Sequence, residues 1–407
     1  MNFATELLHG IAPDKLTGST TLPIYQTAAY SQASAEDLEK IFANRKAGFV
    51  YSRIGNPTTA IFERRLSDLE RGAGAVAFSS GMAAISAAIM NILAADDEII
   101  SSGSLFGGTS ALFSELKNFG IKVRYVTENR VENFAALLTD KTKLIYAETI
   151  GNPKLDVTDI AALANFAHEN NLPLFLDSTV TTPYLVKPLE LGADVVIHST
   201  TKMINGGGNS IGGIVVVGKN FRWDIKKFPK LAEFKQFGTM SYLVRLRARM
   251  LTDFGGCPAP SNIFLTNVGL DTLALRMEQA CQNALELATL CAENKKVKVN
   301  YPGLENNFYH ELAKVQFNAH FGTMLTLRPS TKEKAFDFLN SLRFALKESN
   351  IGDVRTLAIH PASTIYFNAT EDEKLNAGIF EDLIRVNVGI EDISDLLSDF
   401  EQALRKI

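Results

Sequence analysis

The sequence predicts an α/β protein with a mostly parallel sheet covered by helices on both faces, followed by a smaller α+β region. Three observations predict it. Between Gly72 and Val217 short apolar runs alternate with helical patterns. Those runs are apolar throughout rather than at every second residue, which is how strands buried on both faces read. Past about residue 260 the alternation stops and a long amphipathic stretch takes over.

Taken in order, residues 1–50 lack strong periodicity and read as an extended arm with one short helix near Glu36–Phe42. Asn56-Pro57 is an N-cap with proline at the first helical position, and the helix then runs to a stop at Gly72. Next come strand "AVAFSS" and helix "GMAAISAAIMNILA", then strand "EIISS" and helix "TSALFSELKNFG". "KVRYV", "KLIYAET", "LPLFLD", "DVVIHS" and "IGGIVVV" are further strands, with a helix over 158–170 among them. "NIFLTNVGLDTLALRMEQACQNALELATLCAEN" is expected to form one long helix, and a small α+β region ending in "LIRVNVGIED" and a terminal helix follows it. The expected division is an arm over 1–58, a large domain over 59–260 and a smaller one over 261–407.

Bulk properties narrow the function. A net charge of −4 gives no basic footprint for nucleic acid or an anionic membrane. The apolar stretch from Met82 to Ala95 contains Ser86 and Asn91 and is too short to span a bilayer, so it reads as a buried helix. The N-terminus shows no basic region followed by an apolar one. Three cysteines, Cys257, Cys281 and Cys291, fit reduced thiols in a cytoplasm better than a disulfide framework.

Some motifs fail on context. "GAGAVA" at 72–77 follows a helix and leads into a strand, the reverse of a dinucleotide fingerprint. "GGGNS" lacks the lysine of a phosphate loop, and the six histidines show no metal-ligand spacing. His168 beside Glu169 reads as a solvated helix face, and "RLRAR" at 245–249 as a surface or subunit contact.

One constellation survives. Ligands in open α/β sheets bind beyond the carboxyl ends of the strands, and four polar features lie at such ends. "SSGM" at 79–82 joins a strand to a helix, and its small residues let backbone N–H groups approach a phosphate. Asp177 ends a strand and suits a cationic ring nitrogen. Ser199 and Thr201 offer hydroxyls, and Lys202 offers an amine ahead of a glycine run. A phosphate cradle, a carboxylate, hydroxyls and a lysine together describe a pyridoxal phosphate site. Taken singly each has a blander reading, since a lysine after a strand is usually solvated and a strand-end aspartate is often a cap.

Beyond these residues the sequence resembles the Cys/Met-metabolism family of pyridoxal-phosphate enzymes over nearly its whole length. The resemblance rests on "LPIYQTAAY" (22–30), "YSRIGNPT" (51–58), "SSGMAAI" (79–85), "AETIGNP" (147–153), "HSTTK" (198–202), "TLAIHPAS" (356–363) and "IRVNVGIED" (384–392). It implies an aspartate-aminotransferase-like, fold type I large domain with a smaller C-terminal one. It also implies that Lys202 carries the cofactor covalently and moves protons, and that Asp177 pairs with the ring nitrogen. Gly81, Met82, Ser199 and Thr201 would hold the phosphate, Asn152 would lie near the ring oxygen, and Phe106 would stack on the ring. By the same resemblance Tyr51 and Arg53 reach the phosphate of a neighbouring subunit, and Arg385, with Thr356 and Asn152, binds the substrate.

Two positions depart from common patterns. "SLFGGT" carries Phe106 where most relatives carry tyrosine, so a hydroxyl able to handle protons is absent. Gly108 stands where methionine γ-lyases carry cysteine. Within the family the chain looks closest to the O-acetylhomoserine sulfhydrylases. That implies γ-replacement on an acylhomoserine with sulfide, a thiol or sulfur from a carrier protein, in a homotetramer built as a dimer of dimers with shared sites. O-succinylhomoserine sulfhydrylase and cystathionine γ-synthase chemistries are the neighbouring alternatives, and a non-catalytic binding protein on the same fold is the alternative of a different class. The intact lysine, aspartate and arginine weigh against the last.

Overall fold

A computed structural model describes residues 1–14, 17–43 and 45–407. The three remaining positions belong to the expected arm and lie outside the described residues. The large sheet contains β1 (Gly74–Phe78), β2 (Glu98–Ser102), β3 (Lys122–Val126), β4 (Thr142–Glu148), β5 (Leu174–Asp177), β6 (Val195–His198) and β7 (Gly213–Val217). Their spatial order is β1-β7-β6-β5-β4-β2-β3. β7 runs antiparallel to both neighbours, and the pairs from β6 through β5, β4 and β2 to β3 are parallel. Each of the seven strands expected from the sequence is present.

Continuous apolarity has a direct use here. Successive side chains of a strand point to opposite faces, and both faces are covered. Ala147, Leu174, Leu176, Val196 and Val216 join the core on one side. Tyr146, Phe175, Val195, Ile197 and Val217 pack on the other, against the helix Gly81–Met90. The entry to the helix Pro57–Glu70 is also as expected: Asn56 accepts the N–H of Thr58, and Pro57 follows it.

The second sheet contains β8 (Lys298–Asn300), β9 (Met324–Arg328), β10 (Leu346–Lys347), β11 (Leu357–Ile359) and β12 (Ile384–Asn387), in the order β10-β11-β12-β9-β8. Only β10 and β11 are parallel to each other. β12, which carries Arg385, is fully buried between β11 and β9.

Three expectations need correction. The long helix is two helices, Pro260–Asp271 and Leu273–Glu293, broken at Thr272 (φ −104°, ψ 9°). Gly269 presses on the loop after Lys202 so closely that a Cβ would stand 2.0 Å from the Asn205 carbonyl oxygen. The break lets Arg276 reach back and donate to the carbonyls of Gly269 (2.6 Å), Met203 (2.6 Å) and Ile204 (3.1 Å). The arm opens with a helix, Phe3–His9, that weak periodicity hid. His168 is exposed on its helix, as expected, and its Nε2 lies 3.0 Å from the buried Asp194 carboxylate. The arginines of 245–249 divide: Arg245 donates to Asn91 and Arg247 pairs with Glu63 within the fold, whereas Arg249 is exposed and pairs with the exposed Glu233, as a surface reading expects. All three cysteines are free thiols. Among the described residues no helix is long and apolar enough to cross a membrane.

Candidate active site

The carboxyl ends of β4, β5 and β6, the N-terminus of the helix Gly81–Met90 and the start of β12 meet around one cavity of about 280 Å³. Small-molecule sites start at about 300 Å³. Glycine sets its floor. A Cβ on Gly81 would stand 2.6 Å from the Ser199 Cβ, so only glycine brings the helix end this close to the β6 loop. The first N–H groups of a helix have no partner inside it. Ser80 caps the helix by accepting from the N–H of Ala83 at 3.1 Å, which leaves those of Gly81 and Met82 facing the cavity end.

The charged groups stand above that floor. Asp177 is the last residue of β5, and one of its oxygens accepts the Thr179 N–H at 2.9 Å. Burial pushes its carboxyl above the ordinary range, against the pull of the Thr179 hydrogen bonds. A cation placed against it reverses that tendency. Lys202 extends from the loop after β6, and its Nζ donates to the Asn350 side-chain oxygen at 2.5 Å. Burial, with Arg385 nearby, lowers the amine to about 8. It is therefore partly neutral, as a nucleophile and base must be.

Arg385 lies within β12 at 2% exposure. Its Nη1 donates to Asn152 Oδ1 at 3.2 Å, and its Nη2 to the carbonyls of Ser349 (2.8 Å) and Asn350 (3.2 Å). Among the described residues no carboxylate pairs with it. A buried guanidinium without a counter-ion is costly, and a carboxylate entering the cavity would complete it bidentately.

Phe106 lines the same cavity at the start of the helix Gly107–Leu116. A Cβ on Gly108 would stand 2.5 Å from the Phe106 ring and 3.2 Å from Met82 Sδ, so the glycine makes room for the ring where a cysteine would collide.

The residues expected from the sequence divide into two sets. Gly81, Met82, Phe106, Asn152, Asp177, Ser199, Thr201, Lys202 and Arg385 all line the cavity. The Thr201 hydroxyl already bonds Gly212, donating to its carbonyl and accepting its N–H. Thr356 stands apart. It is fully buried, its hydroxyl donates to Glu391 at 2.8 Å, and it accepts the Gly389 N–H. Tyr51 and Arg53 do not line this chain's cavity. Tyr51 is exposed, the Arg53 guanidinium lies 5.4 Å over its ring, and Arg53 donates to the Thr252 carbonyl.

Several residues were missed. Glu148 ends β4 beside Asp177, exactly the kind of strand-end carboxylate that marked Asp177. Thr179 Oγ1 accepts the Ser199 N–H, tying the β5 and β6 loops together. Arg276 and Asn350 had no local signal, because each reaches the lysine loop from a distant element.

The residues fit pyridoxal phosphate. The Gly81 approach and the unpaired helix N–H groups suit a phosphate, the strand-end Asp177 suits a ring cation, and the amine of Lys202 opens on the same space.

Comparison with known proteins gives the same direction. The family model described as Cys/Met metabolism PLP-dependent enzyme matches residues 4–405. The chain is 39% identical to an O-acetyl-L-homoserine sulfhydrylase of Leptospira meyeri, covering 100% of this chain and 98% of that protein. It is 39% identical to a homocysteine synthase of Schizosaccharomyces pombe, covering 99% and 98%. Among solved structures, a Campylobacter jejuni protein provisionally named O-acetylhomoserine (thiol)-lyase superposes with a TM-score of 0.94 at 32% identity, with both chains fully covered. That structure contains an N'-pyridoxyl-lysine-5'-monophosphate.

Proposed function

Since the chain belongs to the Cys/Met-metabolism family of pyridoxal-phosphate-dependent enzymes, we propose that it catalyses γ-replacement on O-acetyl-L-homoserine. Sulfide displaces acetate at Cγ, and L-homocysteine is the product. One observation carries the substrate reading: the unpaired, buried Arg385 faces the Lys202 amine across a single cavity. An amino acid bound there presents its carboxylate to the arginine and its Cα to the lysine.

Pyridoxal phosphate, when bound, supplies the electron sink that makes the Cα–H bond acidic and the Cγ–O bond cleavable. The chain does the rest. The Gly81 and Met82 N–H groups and the Ser199 and Thr201 side chains hold the phosphate end. Asp177 keeps the ring nitrogen protonated by opposite-charge stabilisation. Arg385, held by Asn152, fixes the substrate carboxylate. Lys202 Nζ takes the proton from Cα and moves protons at Cβ as acetate leaves and sulfide enters. Its lowered basicity supports that double use. Phe106 covers the ring and has no hydroxyl to assist elimination.

The decisive assay gives purified enzyme O-acetyl- and O-succinyl-homoserine against sulfide, methanethiol and cysteine. Homocysteine from the acetyl ester and sulfide is the expected main product. Preference for the succinyl ester, or cystathionine formation with cysteine, would replace this reading by one of its neighbours. Sulfur delivered by a carrier protein would appear as turnover with the carrier and little with free sulfide.

The proposal extends to assembly. We divide the chain at 58/59 and 260/261, place the reaction in the cytoplasm with its thiols reduced, and assign a homotetramer made of two dimers. Tyr51 and Arg53 then serve the partner's phosphate, a role supported by the exposed Tyr51 and by the absence of both from their own cavity lining. Mixing Lys202→Ala and Arg53→Ala chains tests the sharing. In a two-fold dimer one mixed site takes both defects and the other takes neither, so random pairing restores about a quarter of wild-type activity. No recovery would place Arg53 in its own chain's site.

A further inference from the structure

Two loops form the upper wall of the cavity. One carries Phe106 and the other Asn152. They are far apart in sequence, and two buried side chains join them from opposite sides.

Glu148, at 5% exposure, accepts the Phe106 N–H with Oε1 at 2.6 Å and the Asn152 N–H with Oε2 at 3.2 Å. Tyr366, at 3% exposure, comes from the C-terminal part of the chain. Its hydroxyl donates to the Leu105 carbonyl at 2.9 Å, with the Asn152 carbonyl as a longer acceptor at 3.4 Å. Its ring lies against the next residue of the same loop, since a Cβ on Gly107 would stand 3.4 Å from it. Glu148 thus grips both loops through an N–H, and Tyr366, with its single O–H proton, grips the Leu105 carbonyl and reaches the Asn152 carbonyl as the long branch of a shared bond. Neither grip involves Lys202 or Asp177.

The consequence runs to both ends of the cavity. Asn152 Oδ1 holds Arg385 Nη1, and Phe106 supplies the ring cover. We propose that Glu148 and Tyr366 are positioning residues that lock these loops together, so that the ring cover and the Arg385 fork are held in register as one unit. This inference rests on the carboxylate reading of Arg385 given above. Burial and the Glu148 charge push the Tyr366 phenol up, which keeps it a donor. Burial and Asp177 push the Glu148 carboxyl up, while its two N–H partners pull the other way.

Two near-isosteric variants test the lock in the full-length holoenzyme. Glu148→Gln replaces one acceptor oxygen by an amide nitrogen that cannot accept. Tyr366→Phe removes only the hydroxyl. The probes are L-2-aminobutyrate and 1-aminopropane, the same carbon chain with and without the carboxylate, each measured as an inhibitor. A third readout is the dissociation constant of pyridoxal phosphate for the cofactor-free chain. Each variant is expected to weaken L-2-aminobutyrate by roughly tenfold, the effect of one misplaced bond to a charged group. Aminopropane should bind as before, and pyridoxal phosphate should be held less tightly. The double variant should lose less than the product of the singles, because both act on the same two loops. A merely structural role would lower Tm and leave the ratio of the two inhibitors at its wild-type value, and that result overturns the lock. Arg385→Lys is the control for the underlying reading. If it fails to separate the two inhibitors, the carboxylate assignment falls, and cofactor retention alone then decides the lock: unchanged retention in both variants rejects it.

Discussion

Arg65 and Arg385 are equally buried, at 2% exposure each, yet they are partnered in opposite ways. Arg65 lies in the helix Pro57–Glu70, pairs with Asp271 at 2.5 Å, and also bonds Asn267 and the Leu7 carbonyl. Arg385 has only neutral oxygens around it. An ion buried without a counter-ion costs stability that a paired one does not. The first arginine ties the N-terminal helix to the helix Pro260–Asp271. The second has no counter-ion among the described residues, which is what the proposed carboxylate-binding role requires. Burial of a charge therefore says little about function until its partners are counted.

Five predictions break or sharpen that contrast. The largest effect belongs to neither arginine. On the proposed roles of Lys202 as covalent anchor and base, Lys202→Ala should lower turnover by roughly 10²–10⁴-fold or more. Near-normal turnover would remove Lys202 from the mechanism. The same residue gives a pH test in the cofactor-free chain, where arylation of the Lys202 peptide should follow a midpoint near pH 8. The sign follows from burial: a depressed folded pKa means the folded chain releases this proton first. Stability from this group should therefore rise between pH 8 and the ordinary lysine range, as the unfolded chain still holds the proton there. A midpoint at the ordinary value would contradict the buried placement.

Asp177→Asn keeps the shape and removes the charge proposed to face the ring nitrogen. The loss should appear mainly in kcat, by roughly 10²-fold, about 2.7 kcal/mol of opposite-charge stabilisation. An unchanged kcat would end this role.

The two arginines should then separate cleanly. Arg385→Lys keeps charge but loses the fork, so kcat/KM should fall by roughly tenfold or more, about 1.5–3 kcal/mol. Arg65→Lys should lower Tm and leave KM for the acylhomoserine unchanged. Equal effects of the two on KM would erase the distinction drawn between them.

Smallest is the effect at Phe106. Phe106→Leu should weaken cofactor retention with modest loss of turnover. Phe106→Tyr should be tolerated and should raise keto-acid formation relative to homocysteine. An unaltered product ratio would show that a hydroxyl there is idle.

Much of the strand-end lining of the cavity was legible before any coordinates. Strand ends are local features: "LPLFLD" and "DVVIHSTTK" announce a buried strand, its end and a polar group beyond it, and parallel-sheet physics places those ends together. Arg385 was singled out only through resemblance. Arg385 stands in an apolar strand, but Asn152, Ser349 and Asn350, which hold it, come from three separate stretches with no shared periodicity. Thr356 shows the cost of that route, for the fold directs its hydroxyl to Glu391 and away from the cavity.

By itself the sequence determined the alternation of strand and helix, the cap at Asn56, and the glycine and lysine that frame the site. These depend on residues close along the chain, where backbone preference and burial period act directly. Tertiary structure alone decided the break at Thr272, the reach of Arg276 to the lysine loop, and the joining of the Phe106 and Asn152 loops by Glu148 and Tyr366. The 260–293 stretch has helical character throughout, and the break at Thr272 falls where Gly269 packs on the Asn205 carbonyl and Arg276 reaches the lysine loop. Contacts of that kind follow from where distant backbones come to rest, and no local pattern encodes them.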